Sequence, residues 1–556
     1  MKAEPGSIKE FISTQKRTFV IPVFQRQYTW TIQNCETLIK DIENIILTNK
    51  RHYFGNIVFY VQETNAISAE SIIALIDGQQ RVTTIMLLLA AIAQNEEKET
   101  KESLYKTYLQ INSEETIKLK QTLSDRDMYD AIIREETDKY SDSQKDCPTY
   151  KNFEYFSSII NKHTAEEWLK AIDRLDIVSL DLDLSQDSES PQIIFESMNS
   201  TGKPLNTAEL MCNFLLMDIS LDAQEQYYKD NWLIIVERLR NSEEIQKFLN
   251  TYLTLKNKVK TVNGNEYTDY KNTYKKFVNN TKEGIEDLRK YSEYYQYILA
   301  PIKFEKNKEL SEILQDIDEL QISAIFPFIL LLFDFQKENK ISYEEIAKIL
   351  NIFVNIIMRI RISNSEAGGS YLQSFVNHLI KKIEKSKDFD ESQFEEILFA
   401  YSDSRLIIDD KDFKDSFTKF DAYNSKNKNY LFRKLEFKLS NDRENWKPKS
   451  IEHILPKTLT PYWKAKLSKE DDEAISLHSE FVHKIGNLAP MNQKDNSANG
   501  QKPYSEKKKL LKASSWKVTQ NIPDEYGDWT IESIKKRTKK LSELAVKVWK
   551  IPKRGK

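Results

Sequence analysis

Cysteine is scarce in this chain: three in 556 residues, at Cys35, Cys147 and Cys212. No two of them stand at a C-x-x-C spacing, which excludes zinc ribbons and a disulfide framework and fits a reducing compartment. Glycine and proline are sparse too, 12 and 14, so a sandwich or a disordered chain is disfavoured. With 40% hydrophobic and 30% charged residues, the composition is that of a helix-rich globular protein. Long apolar runs are also missing. The greasiest stretch, residues 322–335, is interrupted by Ser323 and Pro327 and is too short for a bilayer; it reads as a buried helix. The opening MKAEPGSIKEF lacks the apolar core of a signal peptide. The expectation is a soluble cytoplasmic protein with no membrane partner.

What is present is an uneven charge. The net value is −3, yet residues 421–556 carry 30 Lys and Arg against 17 Asp and Glu. The other 420 residues are correspondingly acidic. A basic C-terminal part on an acidic body suits contact with nucleic acid, because Lys and Arg displace the counterions that phosphates hold. A solvated Lys-rich helical face would produce the same count, so charge alone decides nothing.

The length accommodates two to four domains. Residues 17–22, 55–62 and 72–77 are rich in β-formers, and 177–184 (IVSLDLDL) alternates apolar and acidic side chains as a half-buried strand does. A strongly apolar helix is predicted over 79–93, and acidic helical insertions between 95 and 175. From 205 to about 400 apolar residues recur at three- and four-residue spacing, with weak joints at 261–267 and 363–370. The predicted class is α+β, mostly helical. A small mixed sheet occupies 1–220, a helical middle 221–420, and a basic domain 421–556.

Six histidines occur in the chain, and His453, His478 and His483 fall within 31 residues of one another. Around them run Ser450-Ile-Glu-His-Ile-Leu-Pro456, Phe481-Val-His-Lys-Ile-Gly-Asn-Leu488 and Asn492-Gln-Lys-Asp-Asn-Ser-Ala-Asn-Gly500. A Glu-His-Ile-x-Pro stretch, a Gly-Asn-Leu stretch and an Asn-rich helix start, in that order, resemble the His-Asn-His nuclease domain numbered 1524 among domains of unknown function. The resemblance covers about 425–550 and implies a ββα-metal fold. It implies His453 as the general base, since a neutral imidazole takes a water proton near pH 7. Glu452 and Asn496 become oxygen ligands of Mg²⁺ or Mn²⁺, with Asn496 preferred over Asn492 and Asn499. Asn487 is assigned to orient the His453 ring and clamp its loop, and Lys507 and Lys508 to contact DNA. His478 and His483 read as ordinary surface or core histidines, and of the two only His483 is weighed as touching the site.

A second cluster is Ile76-Asp-Gly-Gln-Gln-Arg81, where an apolar strand enters Asp-Gly and passes straight into a helix. Free backbone N–H groups and the positive helix end meet there, a ready anion site, and Arg81 stands about one turn in, where it could grip phosphate. Upstream lies Ile21-Pro-Val-Phe-Gln-Arg-Gln-Tyr-Thr-Trp30, and downstream Ile194-Phe-Glu-Ser-Met-Asn-Ser-Thr-Gly-Lys-Pro-Leu205 with Glu209 and Asn213. Gly202-Lys203 is no P-loop, for its first glycine and following Ser/Thr are missing. These stretches, with Phe54-Gly55-Asn56-Ile57, resemble the domain numbered 262 among domains of unknown function, related to the ParB/sulfiredoxin-like fold. The resemblance covers about 5–220 and implies a domain that binds and hydrolyses a nucleoside triphosphate, GTP or ATP, and senses modified DNA. Asp77, Gly78, Gln79, Gln80, Arg81, Gln25 and Arg26 then handle the nucleotide. Tyr28 and Trp30 are assigned to DNA, with core packing equally open.

The two domains in this order resemble the GmrSD-like type IV restriction enzymes and their phosphorothioate-sensing and phage-exclusion relatives. The expectation is a nucleotide-regulated, metal-dependent endonuclease acting on modified double-stranded DNA in anti-phage defence, with a homo-oligomer allowed. A non-catalytic DNA-binding regulator is the alternative, and a nucleotide-driven translocase a weaker third.

Overall fold

Alternating apolar residues in the first 180 positions build one sheet. The computed structural model describes residues 2–64, 71–111, 116–182, 206–217, 219–259, 264–277, 281–363, 369–401, 406–440 and 448–553. They form two compact units, Met1–Gln246 with Glu266–Arg289, and Lys247–Asn265 with Lys290–Lys556.

The main sheet of the first unit has six strands: β1 (Lys2–Ser7), β2 (Arg17–Val20), β3 (His52–Thr64), β4 (Ser71–Asp77), β5 (Leu119–Lys120) and β6 (Leu175–Asp181), beside a separate two-residue ladder of Gln110–Ile111 with Thr116–Ile117. Their order across the sheet is β1-β6-β3-β4-β2-β5. The β6–β3, β4–β2 and β2–β5 pairs are parallel, the β1–β6 and β3–β4 pairs antiparallel, so the sheet is mixed as expected. Helix α1 (Gln79–Gln94) leaves the end of β4 and is buried at every position from Val82 to Ala93. Such all-round burial is the state of a helix packed on several sides. Its neighbours include Phe156 and Trp168 of the covering helices in the same hydrophobic cluster.

Two strands escaped the sequence pattern. β1 carries Pro5 and Gly6, poor strand formers, but lies at an edge, where proline leaves no ladder bond unmade. β5 has only two residues and no periodicity to read. β6 is seen to Asp181, and the expected strand's last two residues lie outside the described residues, as do the stretch 194–205 and Gly202-Lys203.

The second unit is helical apart from one antiparallel ladder, described below. The greasy run forms α2 (Phe326–Lys337), with Pro327 in the first turn, where a missing N–H breaks no helix bond. Among the described residues no helix is long and apolar enough to cross a membrane. In α3 (Tyr343–Ser363) the fully buried Arg359 donates to the carbonyls of Trp549 and Ile408, both at 2.8 Å, and to Asp410 at 2.7 Å. A guanidinium so enclosed is tolerable only because its donors are matched; it pins the C-terminal segment to the middle of the unit. The ladder consists of β7 (Ser450–His453) and β8 (Leu488–Met491), followed by α4 (Gln493–Asn499), α5 (Tyr504–Lys512) and α6 (Ile531–Val548).

Gly486, in the turn before β8, is where α6 comes closest. A Cβ there would collide with Thr538 Oγ1 and with the Ile534 carbonyl oxygen. Backbone cannot retreat as a side-chain tip can, so Gly486→Ala should cost about 2–3 kcal/mol and lower the thermal midpoint of the second unit. An unchanged melting curve would show that α6 is not held against this turn.

Candidate active site

β7 pairs with β8 so that His453 faces Leu488 and Glu452 faces Ala489. Successive strand residues point to opposite faces, and Glu452 and His453 accordingly have different neighbours. On the Glu452 side lie Ser450, two residues back, and the helices α4 and α5. Asn496 of α4 donates to Ser450 Oγ. Lys507 of α5 donates from Nζ to Glu452 Oε1 at 2.7 Å, to the His453 carbonyl at 2.9 Å and to the Ile454 carbonyl at 3.1 Å.

That arrangement corrects one assignment. Lys507 is 0% exposed and has its three donors occupied, so it cannot be a DNA contact. Lys508, its neighbour, is partly exposed, with Nζ on the Gly527 carbonyl at 2.7 Å. Of the three asparagines at the helix start, Asn492 caps α4 by accepting from Asp495 N at 2.8 Å, Asn499 is buried, and Asn496 reaches β7.

Asn487 is 0% exposed and fully used. Its Oδ1 accepts from Leu455 N at 2.7 Å and Trp529 Nε1 at 3.1 Å, while Nδ2 donates to Leu455 O and Val482 O, both at 2.9 Å. It clamps the loop after His453 as expected, but no bond runs to the His453 ring. The orienting half of its predicted role is therefore corrected, and Asn487 is a positioning residue. Arg537 of α6 completes the clamp, donating to the carbonyls of Gly486 and Leu488, both at 2.7 Å.

The His453 ring instead meets His483, Tyr423 and their neighbours. Its Nε2 lies 3.2 Å from His483 Nδ1. Tyr423 presents its ring at 4.3 Å from His453 and stacks on His483 at 5.2 Å and 13°. Lys457 Nζ donates to the Tyr423 hydroxyl at 2.6 Å. Tyr423 sits in a polar stretch that gives no sequence signal, whereas the crowding of histidines did point to His483. His478, the third, lies with Nε2 2.8 Å from the Pro456 carbonyl.

Burial, reinforced by Lys457, His483, Lys507 and His478, lowers the His453 pKa to about 3, so the imidazole is neutral and its lone pair available at pH 7. Burial raises the Glu452 carboxyl, against the pull of Lys507. Among the described residues no three His, Cys, Asp or Glu side chains converge as a metal-ligand set. Glu452, with Oε1 taken by Lys507, and Asn496, whose amide nitrogen is on Ser450, leave one carboxylate oxygen and one amide oxygen on this side of the ladder. A Mg²⁺ ion, which keeps several waters and takes one or two protein oxygens plus substrate phosphate, suits that donor set.

In the first unit the strand–turn–helix forms as anticipated. Gly78 adopts φ +88°, a conformation glycine accepts readily, because the Asn56 carbonyl approaches from β3. The glutamines act as a latch. Gln80 accepts from Thr29 N at 2.8 Å and donates to Gln27 O at 3.1 Å. Gln25 donates to Ile76 O at 3.2 Å, and Gln79 to Gln25 Oε1 at 3.3 Å. The structure thus brings Gln25, Asp77, Gly78, Gln79, Gln80 and Arg81 together. Arg81 donates to the Asn56 carbonyl and stands 3.8 Å from Asp77, while its buried Nε has no partner among the described residues. Arg26 is engaged by Glu209 at 2.9 and 3.0 Å. It lines a cleft of about 850 Å³ with Gln25, Gln27, Thr29 and Arg240, to which residues 77–81 do not contribute.

Tyr28 is a second correction to the DNA contacts. It is 2% exposed and its hydroxyl is bonded to Thr84 at 2.7 Å and Asn152 at 3.0 Å, so it is a core residue. Trp30 is half-buried and packs on the same core.

The neutral state of His453 can be checked directly. An unfolded imidazole takes a proton near 6.5, whereas the folded one holds out to about 3. The unfolded state therefore binds more protons across that window, and the fold loses stability as pH falls through it. The His453 ring resonances should keep their neutral positions down to pH 5 in NMR titrations; a midpoint near 6.5 would contradict the burial argument.

The domain family described as the GmrSD restriction endonuclease N-terminal domain matches residues 8–216. That of the GmrSD restriction endonucleases C-terminal domain matches residues 407–544. No curated protein matches the chain. The two matches span more than half of the sequence and enclose both clusters, and the chain belongs to the GmrSD restriction endonuclease family.

Proposed function

We propose that this protein is a modification-dependent, type IV-like restriction endonuclease whose DNA-cutting centre is His453, controlled by a nucleotide bound near Asp77 and Arg81. The observation that carries the reading is the neutral His453 imidazole at the end of a strand pair that runs into a short helix, with two oxygen donors, Glu452 and Asn496, beside the same ladder. In this reading residues 1–220 sense, 221–420 connect and 421–556 cut.

His453 accepts a proton from water as the water oxygen attacks phosphorus. The new P–O bond forms, the bridging P–O bond breaks, and the leaving oxygen takes a proton from solvent. Glu452 and Asn496 would hold Mg²⁺ or Mn²⁺, which when bound supplies charge neutralisation at the phosphate and the leaving oxygen. Asn487, Arg537 and Lys507 keep the strand end and its loop fixed, so the base needs no reorganisation during the reaction. The positive balance of residues 421–556 attracts the DNA backbone.

The anion-binding character of the first unit rests on the N-terminus of α1 and on the unpartnered Arg81 Nε, which together suit a triphosphate. GTP and ATP both meet that description. Glucosylated hydroxymethylcytosine and phosphorothioate marks are the two modifications the family resemblance puts forward.

Supercoiled plasmid, plain and modified, incubated with Mg²⁺ or Mn²⁺ and with or without nucleotide tests the cutting centre. Wild type should nick or linearise at least one substrate, and His453→Ala should be slower by about 10²–10⁴-fold, the usual worth of a general base. Intact plasmid in every wild-type reaction would favour the non-catalytic regulator. Arg81→Ala, folded as judged by its melting curve, should lose triphosphate hydrolysis; unchanged turnover would remove the nucleotide assignment.

A further inference from the structure

We propose that Lys457 and Lys428, both anchored on Tyr423 beside His453, grip the DNA backbone and seat it at the cutting centre. This rests on the reading of His453 as the general base and adds the residues that hold the substrate's phosphates there.

Both ammoniums converge on one ring. Lys457 Nζ lies 4.0 Å from the Tyr423 ring centroid and 2.6 Å from its hydroxyl. Lys428 Nζ lies 4.4 Å from the same centroid and donates to the Tyr423 carbonyl at 3.1 Å. The ring also meets His453 at 4.3 Å between centroids, so Tyr423 is the side chain that both lysines and the base adjoin. After burial, the Lys457 charge is the largest influence holding the His453 imidazole neutral. Lys457 is exposed and Lys428 half-buried, so a duplex can reach both.

Two like charges gathered on a neutral ring repel each other until an anion joins them. No carboxylate of the protein does so, for neither lysine forms an ion pair among the described residues. Asp421, two residues before Tyr423, gives Oδ1 to Asn424 N at 3.0 Å and Oδ2 to Asn424 Nδ2 at 2.9 Å. Elsewhere in this basic stretch lysines are paired, Lys464 with Asp471, Lys512 with Asp524 and Lys540 with Glu525. Lys428 also opens the helix Lys428–Ser440, whose first turn holds no acidic residue, although the helix dipole favours negative charge there. A lysine that served only solubility would extend into water, whereas these two lie against Tyr423 with their charge unmatched. A phosphodiester presented to His453 supplies the missing negative charge at that place.

The test measures binding of the full chain to a short DNA duplex by fluorescence anisotropy over a series of salt concentrations, in EDTA so that nothing is cut. Wild type is compared with Lys457→Gln, Lys428→Gln and the charge-keeping Lys457→Arg, each shown to be folded by its melting curve. Each Gln variant should lose one phosphate contact, which lowers the slope of log K against log salt by about 0.9 and the affinity near ~0.1 M salt by about ten-fold. The loss should be equal on a plain duplex and on one carrying glucosylated hydroxymethylcytosine, because a backbone contact does not read the base. Lys457→Arg should keep the wild-type slope. An unchanged slope in either Gln variant, a loss confined to the modified duplex, or a wild type that binds neither duplex would overturn the proposal. If wild type binds as described yet cuts no substrate with Mg²⁺ or Mn²⁺, the nuclease reading fails while the two lysines stand as DNA contacts.

Discussion

One buried ammonium organises the C-terminal site. Lys507 has no exposed surface, and a charged group in that position is tolerable only when every donor is met. Its partners are the Glu452 carboxylate and the carbonyls of His453 and Ile454, three consecutive residues at the point where β7 ends. The strand therefore cannot shift without stranding a charge, and removing one partner of such a pair typically costs about 3–5 kcal/mol. Asn487 closes the loop from the other direction and Arg537 gathers the carbonyls of the preceding turn. These three polar anchors fix the strand end and loop that carry His453, and burial keeps its imidazole neutral.

The first unit solves a similar problem mainly with side-chain amides. The irregular segment 22–31, after β2, has no ladder to satisfy its backbone, so side chains do it. Gln80 serves Thr29 and Gln27, Gln25 serves Ile76, and Asp125 takes Tyr28 N at 2.7 Å. Gln80 of the Asp-Gly-Gln-Gln-Arg stretch uses both ends of its amide within the protein and Gln79 donates to Gln25. Arg26, held by Glu209, faces the cleft instead, so the residues grouped by sequence divide between two neighbouring places.

Much of this was legible beforehand, and the exceptions have physical causes. The strand–Asp-Gly–helix turn, the apolar helix behind it and the order of the Glu-His, Gly-Asn and Asn-rich stretches follow from local chemistry that spacing records. Lys507 begins a run of three lysines, a pattern that ordinarily faces solvent, yet it is buried. Its helical phase held the answer, since Tyr504 and Leu511 lie three residues before and four after it and are buried on the same face. An aromatic beside Arg and Gln, as Tyr28 is, looks the same in sequence whether it stacks on a base or fills a core. Only its hydroxyl partners Thr84 and Asn152, 56 and 124 residues away, decide it. Tyr423 gave no sign at all; its importance comes from pairing with a segment sixty residues further along the chain.

The most direct test of the central claim, that this chain hydrolyses DNA with water activated at His453, is to cut DNA in ¹⁸O-labelled water and weigh the ends. The account predicts one labelled oxygen in the terminal phosphate at each cut. Cut ends without label, or DNA left whole with every metal, nucleotide and modification offered, would contradict it.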